Sequence, residues 1–330
     1  MENKFFEVFF RDGSYALDFG FTSEHIRIIG GAMEEAGFGH VEIGHGYGLG
    51  ATKKGYPEAA ETDEQYLATA AKVFKNTAFG VFFIPGVGTV DDIKKASDYG
   101  AGFISIGQNI THIEQAEQAV EVSRHLGLHV SVCMMKAHLL VGDEYKKKVA
   151  TIQSWKPDCI CIMDSAGAMT PSEVKQRVET IRMLGAARAG FHGHDNLMMA
   201  TANALAAAEG GAERLDVSLG GFGRSAGNTR TEVLTAIFQR LGHAVQPGID
   251  GVEKVLGSVE RAGISIPSKT GITDLLLGLY GLHSSISEML DETAKSHGLA
   301  KAALYRAVAA SNPVNPTRHE VEEAALKLKG

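Results

Sequence analysis

The sequence predicts an α/β protein built as a (β/α)8 TIM barrel with a C-terminal helical extension. Three observations point there. Apolar, β-branched runs recur eight times, at residues 7–10, 41–43, 79–84, 103–106, 130–134, 159–163, 189–192 and 215–219. They are nearly continuous in apolar character, as strands covered on both faces are. Helix-period stretches separate them, among them 23–36, 63–75, 90–99, 113–126, 171–184 and 197–209. Polar residues gather at the ends of the runs, where barrels of this class keep their chemistry. A doubly wound open sheet would require neither eight strands nor polar strand ends, and no Gly-x-Gly-x-x-Gly follows the first run.

The helices carry their own punctuation. Thr22-Ser23-Glu24, Thr62-Asp63 and Thr170-Pro171-Ser172-Glu173 are start signals, because a hydroxyl before the first turn accepts an otherwise unpaired amide. Gly37, Gly100, Gly127, Gly185 and Gly210 are stop signals. The barrel is assigned to residues 1–250. Residues 251–330 hold no further strand of comparable strength and read as helices at 251–262, 271–295, 299–311 and 319–329.

Composition narrows the function. The chain has 330 residues, 44% hydrophobic and 22% charged, as an ordinary globular protein does. Its formal charge of −7 is evenly spread, which argues against a nucleic-acid partner. No apolar run approaches the roughly 20 residues of a membrane span. The opening Met-Glu-Asn-Lys-Phe-Phe reads as no secretion signal. Three cysteines, an odd count, imply free thiols in a reducing compartment, so a cytoplasmic location is expected. Cys159 and Cys161 share a strand, a spacing that also suits two small core residues.

The strand ends read Arg11-Asp12, Glu42 and His45, Gln108-Asn109, Lys136, Asp164-Ser165, His192 and His194, and Ser218-Leu219-Gly220-Gly221. His192 and His194 are one residue apart, and alternate strand residues point to one side. With Asp12 brought alongside, two imidazoles and a carboxylate make an open-sided site for Mn²⁺, Fe²⁺, Co²⁺ or Zn²⁺. An all-oxygen Mg²⁺ or Ca²⁺ cage would not use two histidines. The glycine-rich stretch 220–232 opens a helix whose first amides offer a weak phosphate-binding signal.

Arg11-Asp12-Gly13, Asp164-Ser165-Ala166-Gly167-Ala168, His192-x-His194-x-Asn196 and Gly227-Asn228 together resemble the DRE-TIM metallolyase superfamily. Val41-Glu42-Ile43-Gly44-His45-Gly46, Pro85-Gly86-Val87-Gly88-Thr89 and Met134-Met135 make the likeness greatest to its 4-hydroxy-2-oxovalerate aldolases. The resemblance implies a divalent ion on Asp12, His192 and His194, commonly Mn²⁺, with Co²⁺, Zn²⁺ or Mg²⁺ as alternatives. It makes Asn228 a further ligand and Arg11 the group that holds the pyruvyl oxygens. It implies cleavage or formation of a 4-hydroxy-2-oxoacid through a metal-bound pyruvate enolate. The strand-end residues His45, Lys136, Asp164 and Ser165 are expected on the substrate.

The departures are specific. The aldolases carry Arg-Asp-Gly-x-His, and its histidine is their base; this chain has Tyr15 there. They carry a tyrosine before a Ser-Ser pair; this chain has His283-Ser284-Ser285. The two residues have exchanged places, so His283 is expected as base and Tyr15 as the group that orients or donates. Lys136 replaces a small polar residue, which suits a substrate with an additional carboxylate or phosphate, or a salt bridge to Glu42 or Asp164. Two other activities compete: a Claisen-type synthase joining an acyl-CoA to a 2-oxoacid, and a non-catalytic metal-binding subunit. By the same resemblance the C-terminal helices are expected to dock an acylating aldehyde dehydrogenase or to form a homodimer.

Overall fold

The computed structural model describes residues 4–266, 272–280, 282, 286–312 and 316–329. Among them lie eight strands: Lys4–Glu7 (β1), His40–Ile43 (β2), Ala78–Phe83 (β3), Phe103–Asn109 (β4), His129–Met135 (β5), Cys159–Asp164 (β6), Arg188–Gly193 (β7) and Arg214–Val217 (β8). Each pairs in parallel with the next, and β8 returns to β1 through Lys4↔Arg214 and Glu7↔Val217, closing a barrel. The (β/α)8 expectation therefore holds. The residues of β3, β5 and β6 are almost all buried, as strands with side chains packed inside and helices outside must be.

Two strands sit earlier than their apolar runs predict. The run at 7–10 places the first strand there, yet the chain leaves the sheet after Glu7 and bends. The Val8 carbonyl accepts the N–H groups of Arg11, Asp12 and Gly13 at 3.1, 2.8 and 3.3 Å. Phe9 and Phe10 are apolar for another reason: they pack with Phe21 and Phe222 over the barrel end, ring centroids 5.0–5.4 Å apart. Likewise β8 ends at Val217, and Leu219–Gly221 is a tight helical turn. Both shifts lift polar residues clear of the sheet and over its mouth.

The helix at Pro171–Leu184 matches its predicted bounds, and Gly142–Ser154 supplies the crossover between β5 and β6. The run 271–295, expected as one helix, contains two, Ile272–Tyr280 and Ser287–His297. Helix Ile249–Arg261 sends Val252, Val255 and Val259 into the barrel core, while Ile249 joins a second core. That second core is made by Leu276, Leu290, Leu304, Tyr305, Val308 and Val321 of the C-terminal helices. The expected division near residue 250 thus falls at a helix that touches both cores. No helix among the described residues is long and apolar enough to cross a membrane.

Candidate active site and metal centre

Strand β7 and the bend after β1 bring Asp12, His192 and His194 together at the mouth of the barrel. One ligand atom from each lies within 4.8 Å of the others, and all three side chains are buried. His192 Nε2 is 3.8 Å from Asp12 Oδ2 and, though buried, has no hydrogen-bond partner among the described residues. Its other nitrogen, Nδ1, faces Asp216 Oδ2 at 3.1 Å. The proton on Nδ1 is thereby fixed, and Nε2 keeps its lone pair. His194 follows the same rule: Nδ1 donates to the Gly227 carbonyl at 3.2 Å, which can only accept. Gly227 holds that carbonyl in place at φ 91°, where a Cβ would collide with the Gly221 carbonyl.

The donor set fits a divalent cation. Burial by itself would raise the Asp12 carboxyl, but Arg11 and the hydrogen bond from the Asn228 amide hold it well below the usual carboxylate range. Burial lowers His194, outweighing the pull of Asp12, so its imidazole stays neutral as a ligand must. Asn228 donates Nδ2 to Asp12 Oδ2 at 2.6 Å and to the Phe222 carbonyl at 3.2 Å, leaving Oδ1 buried and without a partner among the described residues. An orphaned imidazole nitrogen and an orphaned amide oxygen beside a carboxylate are what a bound ion would satisfy.

Behind the trio runs a ring of charged side chains across the barrel interior. Arg11 donates from Nη1 to Asp12 at 2.7 Å and from Nε to Glu42 at 2.5 Å, with its guanidinium 4.3 Å over Phe82. Glu42 Oε1 lies 3.7 Å from Arg214 Nη2. Arg214 grips Asp216 with two bonds of 2.6 and 3.1 Å, and Asp216 returns to His192. Arg214 and Asp216 escaped the sequence reading. Their i, i+2 spacing on β8 was the available signal, since both must face one side of the strand. Burial opposes the charge on Arg11, but Glu42 and Asp12 outweigh it and hold the guanidinium charged. Arg11 Nη2 is buried and has no partner among the described residues.

The remaining expected site residues divide clearly. Tyr15 is half-buried, its ring 5.1 Å from Tyr47 and 5.2 Å from Phe19. Burial and then Asp12 push its phenol well above the ordinary value. His45, expected on the substrate, instead holds a loop. Its Nε2 donates to the Pro57 carbonyl at 2.8 Å, Nδ1 accepts the Tyr47 amide at 3.0 Å, and Phe19 stacks on the ring. Asp164 does the same after β6, each oxygen accepting one amide, Ala168 or Met169, at 3.0 Å. Ser165 accepts the Lys136 amide at 2.9 Å. Lys136 itself is exposed in the left-handed region at φ 54° and makes no ion pair among the described residues, so the expected bridge to Glu42 or Asp164 is not formed. In the glycine-rich loop, Glu232 turns its carboxylate to the Gly220 amide at 3.1 Å and Arg230 at 2.7 Å. His283, and with it the Tyr15 exchange, lies outside the described residues.

The family model described as HMGL-like matches residues 2–256. The chain belongs to the HMGL-like family. The DRE-TIM likeness carried by Arg11-Asp12-Gly13 and the paired histidines is thereby confirmed. A curated 4-hydroxy-2-oxovalerate aldolase of Alkalilimnicola ehrlichii is 32% identical over 320 residues, covering 96% of this chain and 94% of the relative. One from Moorella thermoacetica is 36% identical over 275 residues, 83% and 81% respectively. Among solved structures, the HMG-CoA lyase of Bacillus subtilis superposes with a TM-score of 0.65 at 18% identity, over 81% of this chain and 96% of that one. That likeness speaks for the barrel that this HMGL-like chain shares.

Proposed function

We propose that this chain is a divalent-metal-dependent aldolase that cleaves or forms a 4-hydroxy-2-oxoacid, giving pyruvate and an aldehyde. The observation that carries the reading is the buried trio Asp12, His192 and His194 beside the free Nη2 of Arg11. It occurs in a chain that matches a curated aldolase over 96% of its length. Two imidazoles and a carboxylate without a thiolate suit Mn²⁺, with Asn228 Oδ1 as a further donor. A divalent ion held there supplies a Lewis acid that polarises the 2-oxo group.

The side chains divide the other tasks. Arg11 Nη2 donates to an oxygen of the 2-oxoacid and stabilises the negative charge that gathers as the C3–C4 bond breaks. Glu42 and Phe82 keep its guanidinium aimed, so no reorganisation is needed when charge develops. Tyr15 stays protonated at neutral pH, which makes it a donor to the 4-oxygen and not a base. The base must come from elsewhere. His192 and His194 are committed to the ion, and His45 has both ring nitrogens engaged. We assign the base to His283, which takes the proton of the 4-hydroxyl as the aldehyde departs. Its replacement by alanine should slow cleavage by about 100-fold, measured as pyruvate release.

Pyruvate release from 4-hydroxy-2-oxopentanoate, coupled to lactate dehydrogenase, tests the reading. Activity should vanish when the protein is stripped with a chelator and return on adding Mn²⁺. Turnover that survives stripping, or silence across 4-hydroxy-2-oxoacids with Mn²⁺ present, would refute it.

A further inference from the structure

We infer that the aldehyde handled at this site carries an anionic tail, a carboxylate or a phosphate, recognised by Arg224. The inference rests on the aldolase reading and adds the substrate class. Arg224 lies on the loop that also supplies Asn228 and the Gly227 carbonyl, four and three residues further on. Its guanidinium sits 5.2 Å from the centre of the Tyr15 ring and 5.6 Å from that of Tyr47, so two aromatic faces hold it. Asp12, Arg11 and Arg224 all act on the Tyr15 phenol, so this ring is near both the metal-side groups and the second cation.

The loop is pinned as well. Asn196, two residues beyond His194, donates to Ser225 Oγ at 2.9 Å. Arg224 is exposed yet has no carboxylate partner among the described residues, although the chain is acidic overall, with a formal charge of −7. Lys136, at the end of β5 on the same face of the barrel, is a second cation without an ion pair among the described residues. Arg11 is already paired with Asp12 and Glu42 and has one free nitrogen for the 2-oxoacid end. In this inference the C4 substituent runs past Tyr15, whose ring lies 5.2 Å from the Arg224 guanidinium. A planar guanidinium steadied by aromatic faces is suited to a carboxylate or a phosphate. An alkyl tail would leave it without a partner.

Aldol synthesis provides the test. In that direction pyruvate loses a proton from C3, C3 bonds to the aldehyde carbon, and the aldehyde oxygen gains a proton. Wild-type protein with Mn²⁺ and pyruvate is offered succinic semialdehyde against butanal, and glyceraldehyde 3-phosphate against glyceraldehyde. At least one anionic member should exceed its neutral partner by about tenfold or more in kcat/KM, a modest figure because Arg224 is exposed and water screens it. The winning pair says whether the tail is carboxylate or phosphate. Arg224→Ala and Arg224→Gln should both bring the anionic-to-neutral ratio toward one, whereas Arg224→Lys should retain part of it. Exchange of the pyruvate methyl protons in deuterium oxide, followed by mass spectrometry, reports the aldolase reading separately. Exchange without any preference for anionic aldehydes, or a preference that survives both neutral variants, overturns the inference alone. Absence of exchange overturns the aldolase reading and this inference with it.

Discussion

Arg11→Ala is expected to lower both the activity and the stability of this protein sharply. The guanidinium is the only described cation bonded to both Asp12 and Glu42, at 2.7 and 2.5 Å, and all three side chains are almost fully buried. Removing it leaves two carboxylates in the barrel interior with weaker compensation. Among the described residues Glu42 retains only the more distant Arg214, at 3.7 Å. Breaking a buried pair in this way destabilises by about 3–5 kcal/mol, which urea denaturation would read directly. The free Nη2 disappears as well, so the charge developing on the 2-oxoacid loses a fixed donor, and kcat should fall by about 10²–10³. Arg11→Lys separates the two effects. An ammonium keeps the positive charge, and with it much of the stability. It cannot reproduce the fork that meets Glu42, Asp12 and a substrate at once, so kcat should remain low. A lysine variant with wild-type turnover would remove Arg11 from the chemistry and leave it a structural ion.

How much of this could be read beforehand depended on the kind of residue. The trio was legible, because an i, i+2 pair of histidines at the end of an apolar run has one direction to face, and Asp12 follows another such run. The barrel was legible for a similar reason: eight apolar runs with capped helices between them have few other solutions. The first strand was misplaced because apolarity reports burial and not conformation. Phe9 and Phe10 are as buried as strand residues, but against an aromatic cap over the mouth. His45 and Asp164 look like site residues for an equally physical reason. Strand-end loops need polar side chains to satisfy their own amides, and the residue types that do so are those that bind substrates. Only the direction of the backbone separates the uses. Arg214 and Asp216 failed in the opposite sense, since a charged pair two apart on a strand is the ordinary pattern of a solvated face. Here β8 turns that face inward, where Arg214 lies 4.3 Å from the centre of the Phe6 ring.

Asp216→Asn should therefore weaken the metal site without touching any proposed ligand. In the native protein the Asp216 carboxylate accepts the His192 Nδ1 proton and so fixes the tautomer that leaves Nε2 bare. Asparagine preserves the shape but can turn its NH₂ group toward Nδ1, which favours the opposite tautomer with the proton on Nε2. Affinity for Mn²⁺ should drop by about 10–100-fold, measured by titrating the stripped protein. Saturating Mn²⁺ should recover much of the lost turnover, an outcome that damage to the catalytic groups would not give. Arg214 also loses its closest counter-ion, at 2.6 Å, so the variant should be less stable by about 3–5 kcal/mol at neutral pH. The pH dependence has a definite sign. Burial alone would raise the Asp216 carboxyl, but Arg214 and His192 outweigh it and set it below the ordinary carboxylate value of 3.8. A depressed carboxyl contributes stability that is present above that value and is lost as pH falls through the folded one. The parent should lose stability on acidification below pH 3.8, and the asparagine variant should lose less over the same interval. Unchanged Mn²⁺ affinity in the variant would mean that strand β7 alone aims His192 and that the charged ring serves only the fold.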